Sequence, residues 1–196
     1  MAGAFWADAG LADPKRAYRF TCILPLPNMG VDTKWFIKSV AKPTISVSEA
    51  NHTYLNHTFY YPGRVSWSTI NVTLVDPFSP DAAATFSKYL ETSGYKPPGT
   101  PDDLQTISKS TATSELGIVE INQIDAAGVT IEKWELHNAW IKNINFSDLD
   151  YESDALSNVS IEIRYDWATC RIHGPINSGT GPQSGDPIFD PSTSTS

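Results

Sequence analysis

The sequence predicts a mainly β fold: a β-sandwich or barrel of two packed antiparallel sheets with one flanking α-helix. Three observations predict it. Residues 158–168 alternate strictly, with Val159, Ile161, Ile163, Tyr165 and Trp167 on one side and Ser160, Glu162, Arg164 and Asp166 on the other, which is the period of a half-buried strand. Short runs rich in β-branched and aromatic residues recur between Pro, Gly, Asn and Asp punctuation. A single stretch has helical periodicity.

The run 65–75 is β-rich, with Ile70, Val72 and Leu74 facing one way and Thr69, Asn71 and Thr73 the other. Further strands are predicted over residues 17–24, 35–40, 44–47, 53–61, 116–124, 129–136 and 140–146. Strands at this spacing suit a sandwich or barrel. The helix is expected to start at Ser79 as cap, with Pro80 in its first turn and Asp81 complementing the dipole. Ala82, Phe86, Tyr89 and Leu90 form its apolar stripe, and Gly94 stops it. Residues 96–114 read as a long irregular loop. The stretch 174–196 is rich in Gly, Pro and Ser, with Ile188-Phe189 as a small apolar anchor, so a flexible tail is expected. The organisation is then an arm over 1–15, one domain over 16–172 and a tail over 173–196.

Composition narrows the function. The 196 residues carry a formal charge of −8, a poor match for gripping a phosphate backbone, because few surplus cations are present to replace counterions. No basic segment followed by an apolar core opens the chain, and no apolar run approaches a membrane span. Cys22 and Cys170 are far apart, and His52, His57, His137 and His173 show no metal-ligand spacing around them, so two buried or half-buried thiols and no metal are expected. Five Asn-X-Ser/Thr triplets, at Asn51, Asn56, Asn71, Asn145 and Asn158, read as chance in an Asn/Ser/Thr-rich β protein. The motifs of serine hydrolases, nucleotide-binding loops and zinc peptidases are absent. Asp148, Asp150, Glu152 and Asp154 form an acidic turn without the glycine and terminal glutamate of a calcium loop. Trp35, Trp67, Trp134, Trp140 and Trp167 could line a carbohydrate-binding face, although strand aromatics more often serve core or interface. A carbohydrate-binding β-sandwich is therefore an alternative of a different class, and a carboxylate enzyme is the least supported reading. No cofactor is expected.

Two stretches carry a resemblance. VAKPTISVSEANHTYLNHTFYYPGRVSWSTINVTLVDP spans residues 40–77, and WELHNAWIKNINFSDLDYESDALSNVSIEIRYDW spans 134–167. In this order they resemble the tail tube proteins of contractile-tailed bacteriophages, a family similar in fold to the Hcp tube of type VI secretion. The resemblance covers roughly residues 16–170. It implies a non-enzymatic virion protein, made in the bacterial host cytoplasm, that forms hexameric rings stacked into a hollow tube. The implied partners are further copies of itself, a sheath outside, and baseplate, initiator and terminator proteins at the ends. DNA would pass through without specific binding, and no membrane insertion is implied. A tube of a secretion or tailocin system is the sibling alternative. The ring-stacking element would be the hairpin over 46–61, with Glu49, Asn51, His52, Tyr54, Asn56, His57 and Tyr60 as contacts. Polar strand faces put Glu120, Glu132, Glu135, Glu162, Arg164 and Asp166 forward as lumen-facing residues. An acidic wall would repel phosphate and keep passage fast.

The alternation over 158–168 makes Ile161 a core residue. Ile161→Asp should destabilise the fold by about 3 kcal/mol or more, read as a lowered denaturation midpoint; an unchanged midpoint would sink the alternation argument.

Overall fold

The computed structural model describes residues 14–26, 34, 36–173 and 187–188. The N-terminal arm before residue 14, Trp35, Phe189 and most of the tail lie outside the described residues. The elements run β1 (Phe20–Ile23), β2 (Ile37–Val40), β3 (Ile45–Tyr54), β4 (His57–Trp67), β5 (Ile70–Val75), α1 (Ala82–Thr92), α2 (Lys109–Leu116), β6 (Val119–Ile124), β7 (Thr130–His137), β8 (Trp140–Phe146), β9 (Asn158–Arg164), β10 (Trp167–Ile172) and β11 (Pro187–Ile188). All strand pairs are antiparallel.

Two sheets form a sandwich. One has the order β1-β6-β7-β10-β11 and the other β2-β5-β9-β8. The period-2 pattern decides which faces meet. Val72 and Leu74 of β5 and Val159, Ile161 and Ile163 of β9 are fully buried. They join Cys22, Val119, Ile121, Leu136 and Ala168 of the other sheet in one apolar cluster. The sheets remain separate among the described residues, so the sandwich expectation holds and closure into a barrel does not. The register explains it: the edge strands β1 and β2 have no ladder between them.

The last predicted strand is two. It runs as β9 to Arg164, breaks at Tyr165-Asp166, and resumes as β10 in the opposite sheet. Tyr165 stays buried in the core. Trp167, expected on the same face as Val159, pairs across from His137 and stacks on its ring at 5.2 Å. The run 65–75 also divides, because Val65 and Trp67 end β4 and only Ile70–Val75 belongs to the sandwich.

The helices also differ from expectation. Asp81, not Ser79, caps α1, its side chain accepting from the Ala84 N–H at 2.9 Å. The expected stop holds: Gly94 takes φ +107 and its N–H reaches the Glu91 carbonyl. Within the stretch read as irregular, a second helix, α2, starts at residue 109, capped by Ser108. Its Ser/Thr-rich sequence hid it, since those residues favour caps and turns over helix interiors. Ala112 and Leu116 fasten it to the core. Tyr89 joins both helices to the sandwich: its buried hydroxyl accepts from the Ile141 N–H at 3.2 Å and donates to the Ala112 carbonyl at 3.3 Å. In the tail, the backbone of Pro187–Ile188 pairs with Cys170–Arg171.

Tyr89→Phe should therefore cost about 1–3 kcal/mol by leaving a buried N–H and carbonyl unpaired, with α2 losing amide-exchange protection first. Unchanged stability would mean the hydroxyl bridge contributes nothing.

Candidate assembly surfaces

The hairpin β3–β4 is a two-stranded sheet of its own. Every residue of β3 is exposed, as is nearly all of β4. An isolated two-stranded ribbon is marginal in water, yet this one carries Val47, Tyr54, Leu55, Phe59, Tyr60, Tyr61 and Val65 on its surface. A bulge organises them. The register shifts between Val47 opposite Val65 and Glu49 opposite Pro62. The extra residue lies at Gly63–Arg64, where Ser48 Oγ accepts from the Arg64 N–H at 2.8 Å. A Cβ on Gly63 would sit 2.4 Å from that Oγ and 2.9 Å from the Ser48 carbonyl oxygen, so only glycine fits. Near the root, Ile45, Val47, Val65 and Trp67 share a face. Beyond the bulge, Tyr61, Phe59 and His57 fall on the opposite face with Ala50, His52 and Tyr54. The ribbon thus carries one apolar patch on each side.

At its tip the two-residue turn Leu55-Asn56 holds Leu55 at φ 55, and its side chain is 84% exposed. A left-handed, solvated leucine is strained where glycine would be relaxed. All seven stacking candidates are exposed: Glu49, Asn51, His52, Tyr54, Asn56, His57 and Tyr60. They divide between the two faces, with Glu49, Asn51 and Tyr60 opposite His52, Tyr54 and His57.

The sequence-predicted lumen residues lie in three places. Glu120 and Glu135 are cross-strand neighbours on the outward face of the five-stranded sheet. Lys133 bridges them, at 3.0 and 2.8 Å. Burial pushes the Lys133 amine down, but the two carboxylates outweigh it and hold it above its ordinary value. Glu132 points the other way, alongside Trp134, and is 7% exposed. It accepts from Lys15, from Lys42 at 2.6 Å and from the Trp134 indole at 2.6 Å. Burial raises its carboxyl, and these three donors more than reverse that, holding it at about 2. Glu132 is a tether for the chain before β1 and for the root of the hairpin, a role that its place in the sequence did not signal. Glu162 lies on the outward face of the four-stranded sheet, paired with Lys142 at 2.9 Å and accepting from Thr69. Arg164 donates to the Trp67 carbonyl. Asp166 pairs with Lys109 at 2.6 Å and accepts from Asn138. The carboxylates among these candidates are thus paired within the subunit.

Other chemistry is sparse. Cys22 and Cys170 are free and buried, their thiols pushed up by burial to about 12 and about 11. Among the described residues no three His, Cys, Asp or Glu side chains converge as a metal site, and no helix is long and apolar enough to cross a membrane. Trp67, Trp134, Trp140 and Trp167 are half-buried on different strands rather than ranged along an exposed platform.

No protein-family model and no curated protein sequence matches the chain. Solved structures do. A chain of the anti-feeding prophage cap (AFP tube terminating cap) aligns at a TM-score of 0.59 and 18% identity, over 88% of this chain and 99% of that one. A chain of the sheath/tube terminator of the extracellular contractile injection system PVC, in its extended state, aligns at 0.58 and 18%, over 82% and 99%. A chain of the PVC sheath-tube complex aligns at 0.56 and 17%, over 81% and 92%. The fold is the one found in contractile injection assemblies. A crystal structure of Hcp protein aligns at only 0.45, too slight a likeness to build on.

Glu132 sets a pH dependence. Its folded pKa lies below the unfolded value of 4.5, so its contribution is full above that value and is lost as pH falls toward about 2. Glu132→Gln should be less stable at neutral pH and should show a flatter acid limb in melting temperature across that window. Parallel acid limbs in the two proteins would exclude the tether.

Proposed function

We propose that this chain is the tube subunit of a contractile tail, whose copies join head to tail into hexameric rings that stack into a hollow tube for DNA ejection. The observation that carries this reading is the four-stranded sheet β2-β5-β9-β8, open at both edges among the described residues. With an even number of antiparallel strands, its two edges run in opposite directions. The β8 edge of one copy can then meet the β2 edge of the next in antiparallel pairing, continuing the sheet without a break. Such a contact is heterologous and closes into a ring, and closure removes the edges that would otherwise invite aggregation. The exposed hairpin, with apolar patches on both sides, suits the contact between successive rings.

The continued sheet would supply the tube wall, with Asn71, Asn145, Ser160 and the Lys142-neutralised Glu162 on its outward face. That wall is polar and close to neutral, and a passing phosphate backbone finds little to bind. Lumen placement is thereby proposed for Glu162, with Arg164 and Asp166 at its margin, and the opposite side for Glu120 and Glu135. Sheath, baseplate and terminator partners belong to the same reading. The fold likeness to parts of AFP and PVC favours a second reading, in which the tube serves an extracellular injection machine and its cargo is not a genome. No enzymatic step is assigned.

Electron microscopy of concentrated protein tests the proposal, with hollow tubes as the expected outcome. The Ser147 N–H bonds inward to Asn158, so the Phe146 N–H one residue earlier faces the open edge of β8. Phe146→Pro should leave a folded monomer that forms no rings, while Phe146→Ala still forms them. Deleting residues 51–56 should allow rings but no stacking. Tubes formed by both the proline and the deletion variants would overturn the assignment of these surfaces.

A further inference from the structure

Many charges of the sandwich cancel locally, and two surfaces concentrate unpaired charge of opposite sign. Glu120, Glu132, Glu135, Glu162 and Asp166 each meet a lysine. Asp148, Asp150, Glu152 and Asp154, in the loop between β8 and β9, meet no cation among the described residues. The same loop exposes Leu149 at 90%, Tyr151 at 108% and Leu156 at 70%. The second surface is a cleft of about 730 Å³ on the open side of the sandwich, between β1 and β2. Tyr18, Phe20, Ile37 and Trp134 line it together with Lys34 and Lys38. Neither lysine meets a carboxylate among the described residues; Lys38 reaches only the Asn158 amide oxygen, at 3.5 Å. One surface is acidic with apolar side chains, and the other is basic with an apolar lining.

The sheet register places them on one level. Ile37, Leu74, Val159 and Phe146 form a single row across β2, β5, β9 and β8. The chain just before Ile37 carries Lys34, and the chain just after Phe146 is the acidic loop. Within one molecule the backbones of β2 and β8 are three strand spacings or about 14 Å apart, and Lys38 reaches only as far as Asn158, where the loop returns to β9. In a second copy whose β2 continues the sheet beyond β8, the cleft comes alongside the loop.

We propose that the loop over residues 147–157 of one copy docks into the Lys34–Lys38 cleft of the next copy of this chain. Leu149, Tyr151 and Leu156 enter the cleft, and the four carboxylates meet the two lysines at its rim. The inference rests on the ring-forming reading above and adds what backbone pairing lacks. A free strand edge accepts any other edge in many registers. A charged loop seated in a complementary cleft selects one edge and one register, and rejects a copy presented the wrong way round.

Charge reversal tests this on the full-length chain. Asp150→Lys with Glu152→Lys, and separately Lys34→Glu with Lys38→Glu, should leave circular dichroism unchanged, because all four side chains are solvent-facing. Each pair should raise the protein concentration needed for assembly at least roughly tenfold, as expected for like charges brought together, and the effect should shrink at high salt. Combining the four changes in one chain restores opposite charges across the contact, and the threshold should return to within about threefold of wild type. Wild-type assembly with unimpaired reversal pairs, or with no rescue in the combined variant, would overturn the docking while leaving the ring reading in place. A wild-type chain that stays monomeric at every concentration would overturn both.

Discussion

The contact between the inner faces of the two sheets is the constraint on which the rest of the molecule depends. β9 supplies Val159, Ile161 and Ile163 to that contact from the middle of the four-stranded sheet. Through Tyr165-Asp166 the same segment crosses over and becomes β10, an interior strand of the five-stranded sheet between β7 and β11. The apolar seam is therefore held by burial and also by a covalent crossing between interior strands of the two sheets. Each buried branched side chain there contributes about 1.5–3 kcal/mol relative to exposure. The two helices, joined through the Tyr89 hydroxyl, close against this seam and do not create it. The Glu132 tether ties the chain before β1 and the hairpin root to its rim.

A seam satisfied this locally leaves much of the chain unused by the core. The ribbon β3–β4, the outer edges of β2 and β8, and the loop after β8 all face solvent in a single subunit. They are well-formed parts that lack neighbours. The strand carboxylates, by contrast, already have partners. Lys133 sits between Glu120 and Glu135, and Lys142 holds Glu162. A formal charge of −8 suggested an acidic wall; once the pairs are placed, the densest run of unpaired carboxylates among the described residues lies in the loop after β8.

Strand existence and the core were legible in the sequence because alternation is a local signal. β8 occupies the residues expected of it, and the interior side chains of β5 and β9 were correctly assigned. Three features were hidden for physical reasons. The crossing at Tyr165-Asp166 leaves the alternation intact on paper, because a strand that changes sheets keeps its polar and apolar rhythm. α2 was hidden because serine and threonine weaken helical periodicity, and tertiary contacts through Ala112 and Leu116 decide the matter. The two-faced ribbon was hidden because Phe59, Tyr61, Val65 and Trp67 share one parity in sequence, and only the extra residue at Gly63 moves half of them to the other side. The candidate stacking residues were chosen by position, since exposure on a hairpin can be anticipated. The candidate lumen residues were chosen as charged side chains on polar strand faces, a pattern that does not reveal whether a partner is already in place.

Among the described residues a single ribbon, β3–β4, stands apart from the sandwich. In the stacked tube proposed above, subunits with a single ribbon make a directional polymer. One end of that tube would display ribbons with nothing to grip, and the other the surfaces that receive them. Two chemically different plugs would then finish it, and the two ends would grow at different rates. The bulge at Gly63, a single residue too many in one strand, helps to make those ends different.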